Sequence, residues 1–140
     1  MIGAGGLSLA ETRHRLRIAG AAPLWCWCAW DAFGIAAALQ LTAEVSTTCG
    51  ACGQPLVLDL VRGHPAAGRP EYGYLPPPVG SPLSCFCPYA LLFCSEQHLA
   101  SWQAGLAANV AGGGRALPVA SYAAEGSRAW AWAAAGEGPC

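Results

Sequence analysis

Residues 24–40 read LWCWCAWDAFGIAAALQ, directly after Pro23. The first four residues, Leu24 to Trp27, favour an extended chain. The alanine-rich remainder favours a helix, predicted over about residues 28–39. Gly34 weakens that helix without ending it. Cys28 and Asp31 are three apart at its start and so share a face. A helix N-terminus stabilises a thiolate and lowers a cysteine pKa. Neighbouring thiolates and apolar walls act oppositely on a carboxylate, so Asp31 is able to hold a proton near neutrality. A thiolate beside a protonated acid is a nucleophile with its own proton donor. The same two residues also fit a plain helix cap and a thiol packed in the core.

Outward from this stretch, LSLAETRHRLRI (7–18) alternates loosely and predicts an edge strand with exposed arginines. LTAEVSTT (41–48) and LVLDLV (56–61) are strand-like, with CGACGQP (49–55) as the turn, which makes a β-hairpin. Residues 62–82, with Pro76, Pro77 and Pro78 in a row, predict a long irregular loop of the kind that forms lids or mobile segments. LSCFCPYALLFC (83–94) predicts two short buried strands broken at Pro88. Ser95 and Glu96 open a helix over about 96–109, with Leu99, Trp102 and Leu106 on one face and Gly112 to Gly114 ending it. A last helix is expected over 119–134, carrying Trp130 and Trp132, before a frayed tail at 136–140. No internal repeat is visible.

A length of 140 residues predicts a single domain, 1–140. Hydrophobic residues make up 54% and charged residues 11%, which excludes intrinsic disorder. The formal net charge of −1 offers no field for nucleic acid or an anionic membrane. No apolar run is long enough for a membrane span, and the first twenty residues lack the pattern of a secretory signal. The expected setting is therefore a reducing cytoplasm, where clustered cysteines bind metal or do chemistry more often than they form disulfides.

There are eight cysteines, and six of them come in close pairs: Cys26 with Cys28, Cys49 with Cys52, and Cys85 with Cys87. Within a strand, a C-x-C pair presents its thiols to opposite faces. Cys85-Phe86-Cys87-Pro88 is the second thiol candidate, or else two buried cysteines of a core strand. Cys49-Gly-Ala-Cys52-Gly looks like half of a zinc knuckle. Cys85 and Cys87 would supply the other half, although C-x-C is tighter than usual ligand spacing; a glycine turn with packed cysteines fits equally. His14, His64 and His98 share no ligand-like spacing with one another and read as surface or helix histidines. The six tryptophans read as core, with Trp25, Trp27 and Trp30 flanking Cys28 and Asp31.

Taken together, LWCWCAWDAFGIAAAL, LTAEVSTTCGACGQPLVLDL and SCFCPYALLFCSEQHLASW resemble the catalytic domain of the alkylmercury lyase (MerB) family. That family has a cysteine followed three residues later by aspartate, which maps to Cys28 and Asp31. Its structural cysteine after a strand ending in small hydroxyl residues maps to Cys49. Its second catalytic cysteine, after a phenylalanine at the end of a long loop, maps to Cys87. Ser95 to Trp102 resembles the family's next helix, and the likeness spans about residues 7–125.

The resemblance implies a mixed α+β domain, with an antiparallel core, flanking helices, and the site between the Cys28 helix and the Cys87 loop. It implies cleavage of a carbon–mercury bond to a hydrocarbon and Hg(II), in bacterial mercury detoxification. Cys28 and Cys87 would bind the mercury, and Asp31 would protonate the departing carbon and stay near the metal. No cofactor is implied, and small thiols or a mercuric reductase would remove the product. Three departures stand out. Relatives commonly carry a helical domain ahead of this stretch, so apolar surface or a homodimer is expected here. Cys26 and Cys52 are additional thiols, accessory along with Cys49 and Cys85. Trp30 is bulkier than the leucine usual at that place and narrows the pocket. The second reading is a non-catalytic metal-binding protein, zinc-stabilised or a Cu(I)/Hg(II) carrier, using Cys49, Cys52, Cys85 and Cys87.

Overall fold

The computed structural model describes residues 3–78, 80–108 and 113–131. Among the described residues, ten short strands form two antiparallel sheets. They are β1 (Gly3–Ala4), β2 (Leu7–Ser8), β3 (His14–Ile18), β4 (Leu24–Cys26), β5 (Ala43–Thr48), β6 (Pro55–Val61), β7 (His64–Pro65), β8 (Tyr72–Leu75), β9 (Leu92–Phe93) and β10 (Arg115–Pro118). The helices are α1 (Ala29–Ala38), α2 (Glu96–Ala104) and α3 (Val119–Ala129). The larger sheet has the order β1-β2-β4-β3-β5-β6-β7, and the smaller has β10-β8-β9. This is the expected mixed α+β architecture.

The β5–β6 hairpin forms as the alternation predicts. Leu56, Leu58 and Leu60 point inward, while Val57, Asp59 and Val61 face solvent. The turn closes on Gly53, whose φ of 74° suits only glycine at low strain, and its amide donates to the Cys49 carbonyl at 2.9 Å. α1 packs across α3, where Gly34 and Gly126 let the two backbones approach. Phe33, Leu16, Val45, Tyr74, Phe93 and Tyr122 are fully buried between the layers.

Several expectations are corrected. Residues 7–18 form two strands, β2 and β3, and β3 is interior because β4 folds back beside it and β5 takes its other edge. Its arginines still face outward, with Arg15 over the Trp25 ring at 5.8 Å. The 62–82 segment is not wholly irregular. It contains β7 and β8, and β8 stops at the residue before the proline run. A strand is possible there because Gly73 fits beneath the Tyr122 ring. Residues 83–94 yield one strand, β9, preceded by a π-helical turn over Pro82–Phe86. The Cys85 amide bonds to the Ser81 carbonyl at 2.8 Å and the Ala90 amide to the Phe86 carbonyl at 3.0 Å, so the chain coils around Pro88. α2 ends at Ala104 with Gly105 as its cap, short of the expected residue 109. α3 ends at Ala129 with Trp130 as its cap, and residues 132–134 of the expected helix lie outside the described residues. Trp132, Cys140, the 136–140 tail and Gly112 lie outside the described residues.

Candidate active site

Cys28 is the N-cap of α1 and Asp31 its third residue. The Asp31 carboxylate reaches back and accepts the Cys28 amide at 3.1 Å, so the cap seen in sequence is real. The same oxygen, Oδ2, also accepts the Cys28 thiol at 3.2 Å. Capping and chemistry therefore share one pair of residues. The turn after the π-helical segment brings Cys87 to them. Cys28 Sγ, the Cys87 sulfur and an Asp31 oxygen all lie within 4.8 Å of one another.

The three are almost sealed from solvent, at 0%, 4% and 5% exposure for Cys28, Asp31 and Cys87. Ala90, Trp27, Trp30 and Phe86 pack around the thiols. Trp30 meets Phe86 at 5.3 Å between ring centres and donates its indole N–H to the Tyr122 carbonyl at 3.1 Å. Trp25 does not join this wall; it stacks under Arg15 instead. A cleft of about 300 Å³, lined by Thr12, Arg13, His14, Trp27, Leu83, Cys87 and Pro88, reaches Cys87 from outside.

The electrostatics divide the expectations. Burial pushes the Asp31 carboxyl up from 3.8 to about 6, against the opposing pull of the two Cys28 hydrogen bonds. That agrees in direction with the sequence reading. Cys28 goes the other way from expectation. Complete burial, its hydrogen bond with Cys87 and the nearby charges of Asp31 and Cys87 hold its thiol well above the ordinary 9.0. The helix end does not outweigh desolvation here. Cys28 thus rests as a thiol aimed at a carboxylate. Burial, with the charge of Asp31, also pushes Cys26 up to about 12, which makes it an inert core thiol.

Two residues escaped sequence reasoning. Tyr122 is fully buried, feels the charges of Cys28, Asp31 and Cys87, and its hydroxyl has no hydrogen-bond partner among the described residues. Its position 91 residues beyond Asp31 left no local signal. Gly6 lies against Asp31 with φ of 85°, and a methyl group there would sit 2.8 Å from Asp31 Cγ and Oδ1. Gly6→Ala is expected to destabilise the chain by about 1–3 kcal/mol through strain and overpacking, read from urea denaturation.

The zinc set expected from Cys49, Cys52, Cys85 and Cys87 does not form. Cys85 is exposed beside Ser84, and Cys87 belongs with Cys28. Two residues apart on the coiled turn, they are sent to different places. Cys49 and Cys52 meet Cys94 and His98 instead, so His98 is not the isolated helix histidine that its spacing suggested. His64 lies at the start of β7, and His14 is buried in β3. No disulfide forms among the described residues.

A family model described as alkylmercury lyase, MerB, matches residues 7–131. The chain belongs to the alkylmercury lyase family. A crystal structure of the mercury-bound form of MerB2 is similar in fold, with a TM-score of 0.74 and 20% identity, over 93% of this chain. This chain spans 63% of that one. No curated protein sequence matches. The family membership and the MerB2 likeness accord with the α+β expectation, and Cys28, Asp31 and Cys87, which the resemblance singled out in sequence, lie together in this structure.

Proposed function

We propose that this chain is an organomercurial lyase that splits carbon–mercury bonds by protonolysis. The observation that carries the reading is the buried contact of Cys28, Asp31 and Cys87, with the Cys28 thiol donating to Asp31. Mercury is soft, and two sulfurs side by side are its natural ligands.

The cleft reaches Cys87 and not Cys28, so Cys87 acts first. Its thiol reacts with R–Hg–X to give Cys87–S–Hg–R and HX. Cys28 then bonds to the mercury through its sulfur and passes its proton to Asp31, 3.2 Å away. The added thiolate loads electron density onto the metal and weakens the Hg–C bond. Asp31 delivers the proton to the carbon, the Hg–C electron pair becomes the new C–H bond, and RH leaves. Hg(II) stays on the two sulfurs, with the carboxylate regenerated beside it. Trp27, Trp30 and Phe86 keep water from this exchange and so strengthen its electrostatics. Small thiols or a mercuric reductase then take Hg(II) by ligand exchange. The setting we infer is the bacterial cytoplasm. Among the described residues no helix is long and apolar enough to cross a membrane.

The test is benzene release from phenylmercury with excess small thiol. Wild type is expected to turn over, and Cys28→Ser and Cys87→Ser to lose release. Peptide-level mass mapping should place phenylmercury on Cys87 in Cys28→Ser and show no adduct on Cys28 in Cys87→Ser. A folded wild type that binds phenylmercury and never yields benzene would overturn the lyase reading.

A further inference from the structure

We propose that Cys49, Cys52, Cys94 and His98 form a structural zinc site, separate from the mercury-handling residues. One ligand atom from each lies within 4.8 Å of all the others. Tetrahedral Zn(II) with ordinary bond lengths sets its sulfurs about 3.8 Å apart, and a sulfur and a nitrogen about 3.6 Å apart. The Cys52 and Cys94 sulfurs are 3.8 Å apart, and Cys49 Sγ lies 3.8 Å from His98 Nδ1. Cys94 Sγ is closer to the same nitrogen, at 2.9 Å, a hydrogen bond that a metal would replace by opening it several tenths of an ångström.

The backbone is shaped for the purpose as well. Cys49 directly follows β5, and the Gly50–Gly53 turn carries Cys52 around it. The amides of Ala51, Cys52 and Cys94 point at the Cys49 sulfur, that of Cys94 at 3.5 Å. Such N–H donors stabilise a metal-bound thiolate and fix its direction. On the other side, Ser95 caps α2 by accepting the His98 amide at 3.2 Å. Cys94 directly precedes this cap and His98 stands in the first turn of α2, so the cap brings their side chains together, with Cys94 Sγ and His98 Nδ1 in contact. The full pattern is C-x₂-C followed by C-x₃-H, with four protein ligands and no open position, as in structural zinc sites. Three thiols and an imidazole select zinc over hard cations.

The site joins the β5–β6 turn to β9 and the start of α2. The Gly50 amide already bonds to the Leu92 carbonyl at 2.9 Å across this junction. Zinc would fasten the far end of the segment that follows Cys87 to the turn of the large sheet. The role is structural, since no ligand position is left for substrate.

The experiment is metal analysis of the whole chain purified from zinc-supplemented cells without chelator, followed by cobalt exchange. About one zinc per chain is expected. It should persist in a Cys28→Ser/Cys87→Ser double variant and fall to near zero in Cys52→Ser and His98→Ala. Co(II) should give the intense visible bands of a tetrahedral thiolate site in wild type and in the Cys28→Ser/Cys87→Ser variant, but not in Cys52→Ser or His98→Ala. Cys52 is exposed, so its loss removes a ligand without disturbing the core. A metal-free wild type that also fails to take Co(II) tetrahedrally overturns the proposal. So does zinc that survives Cys52→Ser and His98→Ala but leaves with Cys28 and Cys87.

Discussion

Asp31→Asn is expected to lower hydrocarbon release by about 10²–10⁴-fold, the usual contribution of a positioned general acid, while the chain still captures the organomercurial. Asparagine can accept the Cys28 amide and so keep the cap on α1. It cannot take the thiol proton and pass it to carbon. Capture depends on Cys87 and survives; the proton relay fails. Single-turnover benzene release should collapse, and intact mass should show phenylmercury held on the protein. In the wild type, Asp31 must be ionised at rest to receive that proton, so activity should fall as pH drops below about 6. The same substitution should make the protein more stable at pH 7. An ordinary carboxyl near 3.8 raised to about 6 represents up to about 3 kcal/mol against folding when ionised, and asparagine removes that charge. A variant that is inactive and more stable separates a reacting group from a structural one. One that is inactive and less stable would mean that Asp31 serves mainly as a cap.

The parts of this arrangement that were legible in sequence are those set within a few residues. Cys28 and Asp31 announce both a helix start and an acid beside a thiol, because three-residue spacing means one face of one helix. The β5–β6 alternation and the Ser95 cap are equally local. Cys87 could be matched by resemblance, but the residues themselves did not separate it from Cys85. The π-helical turn decides which of the two faces Cys28, and no periodicity announces such a turn. The zinc ligands show a different failure. The three histidines share no ligand-like spacing with one another, whereas His98 pairs with Cys94 across a helix cap. That spacing was readable; its connection to Cys49 and Cys52 required the β5–β9 contact, which is long-range. Tyr122 and Gly6 carry no local signal at all, since each matters only through what folds against it.

The wild-type stability should be nearly flat between pH 6.5 and 4.5 as far as His14 and Asp31 are concerned, because the two titrate with opposite sign. His14 is buried against Thr47, with Nδ1 2.8 Å from its hydroxyl. Burial, and then the charge of Arg13, lower its pKa from 6.5 to about 3. Below pH 6.5 the unfolded chain therefore binds a proton that the folded chain refuses, and stability is lost as pH falls, by about 2.7 kcal/mol at pH 4.5. Asp31 is the reverse. Below about 6 the folded chain takes a proton that the unfolded chain does not take until near 3.8. Stability is gained as pH falls, by about 2 kcal/mol at pH 4.5. Substituting either residue exposes the other. His14→Gln keeps a partner for Thr47 and should become more stable on acidification over this range, whereas Asp31→Asn should lose stability steeply. Urea midpoints at several pH values for the three proteins read this directly. Parallel slopes in all three would mean that neither side chain is held out of water as the fold requires, and the proton path from Cys28 to Asp31 would lose its physical basis. Divergent slopes would tie the acidity of the site to the burial that the surrounding sheet and helices impose on it.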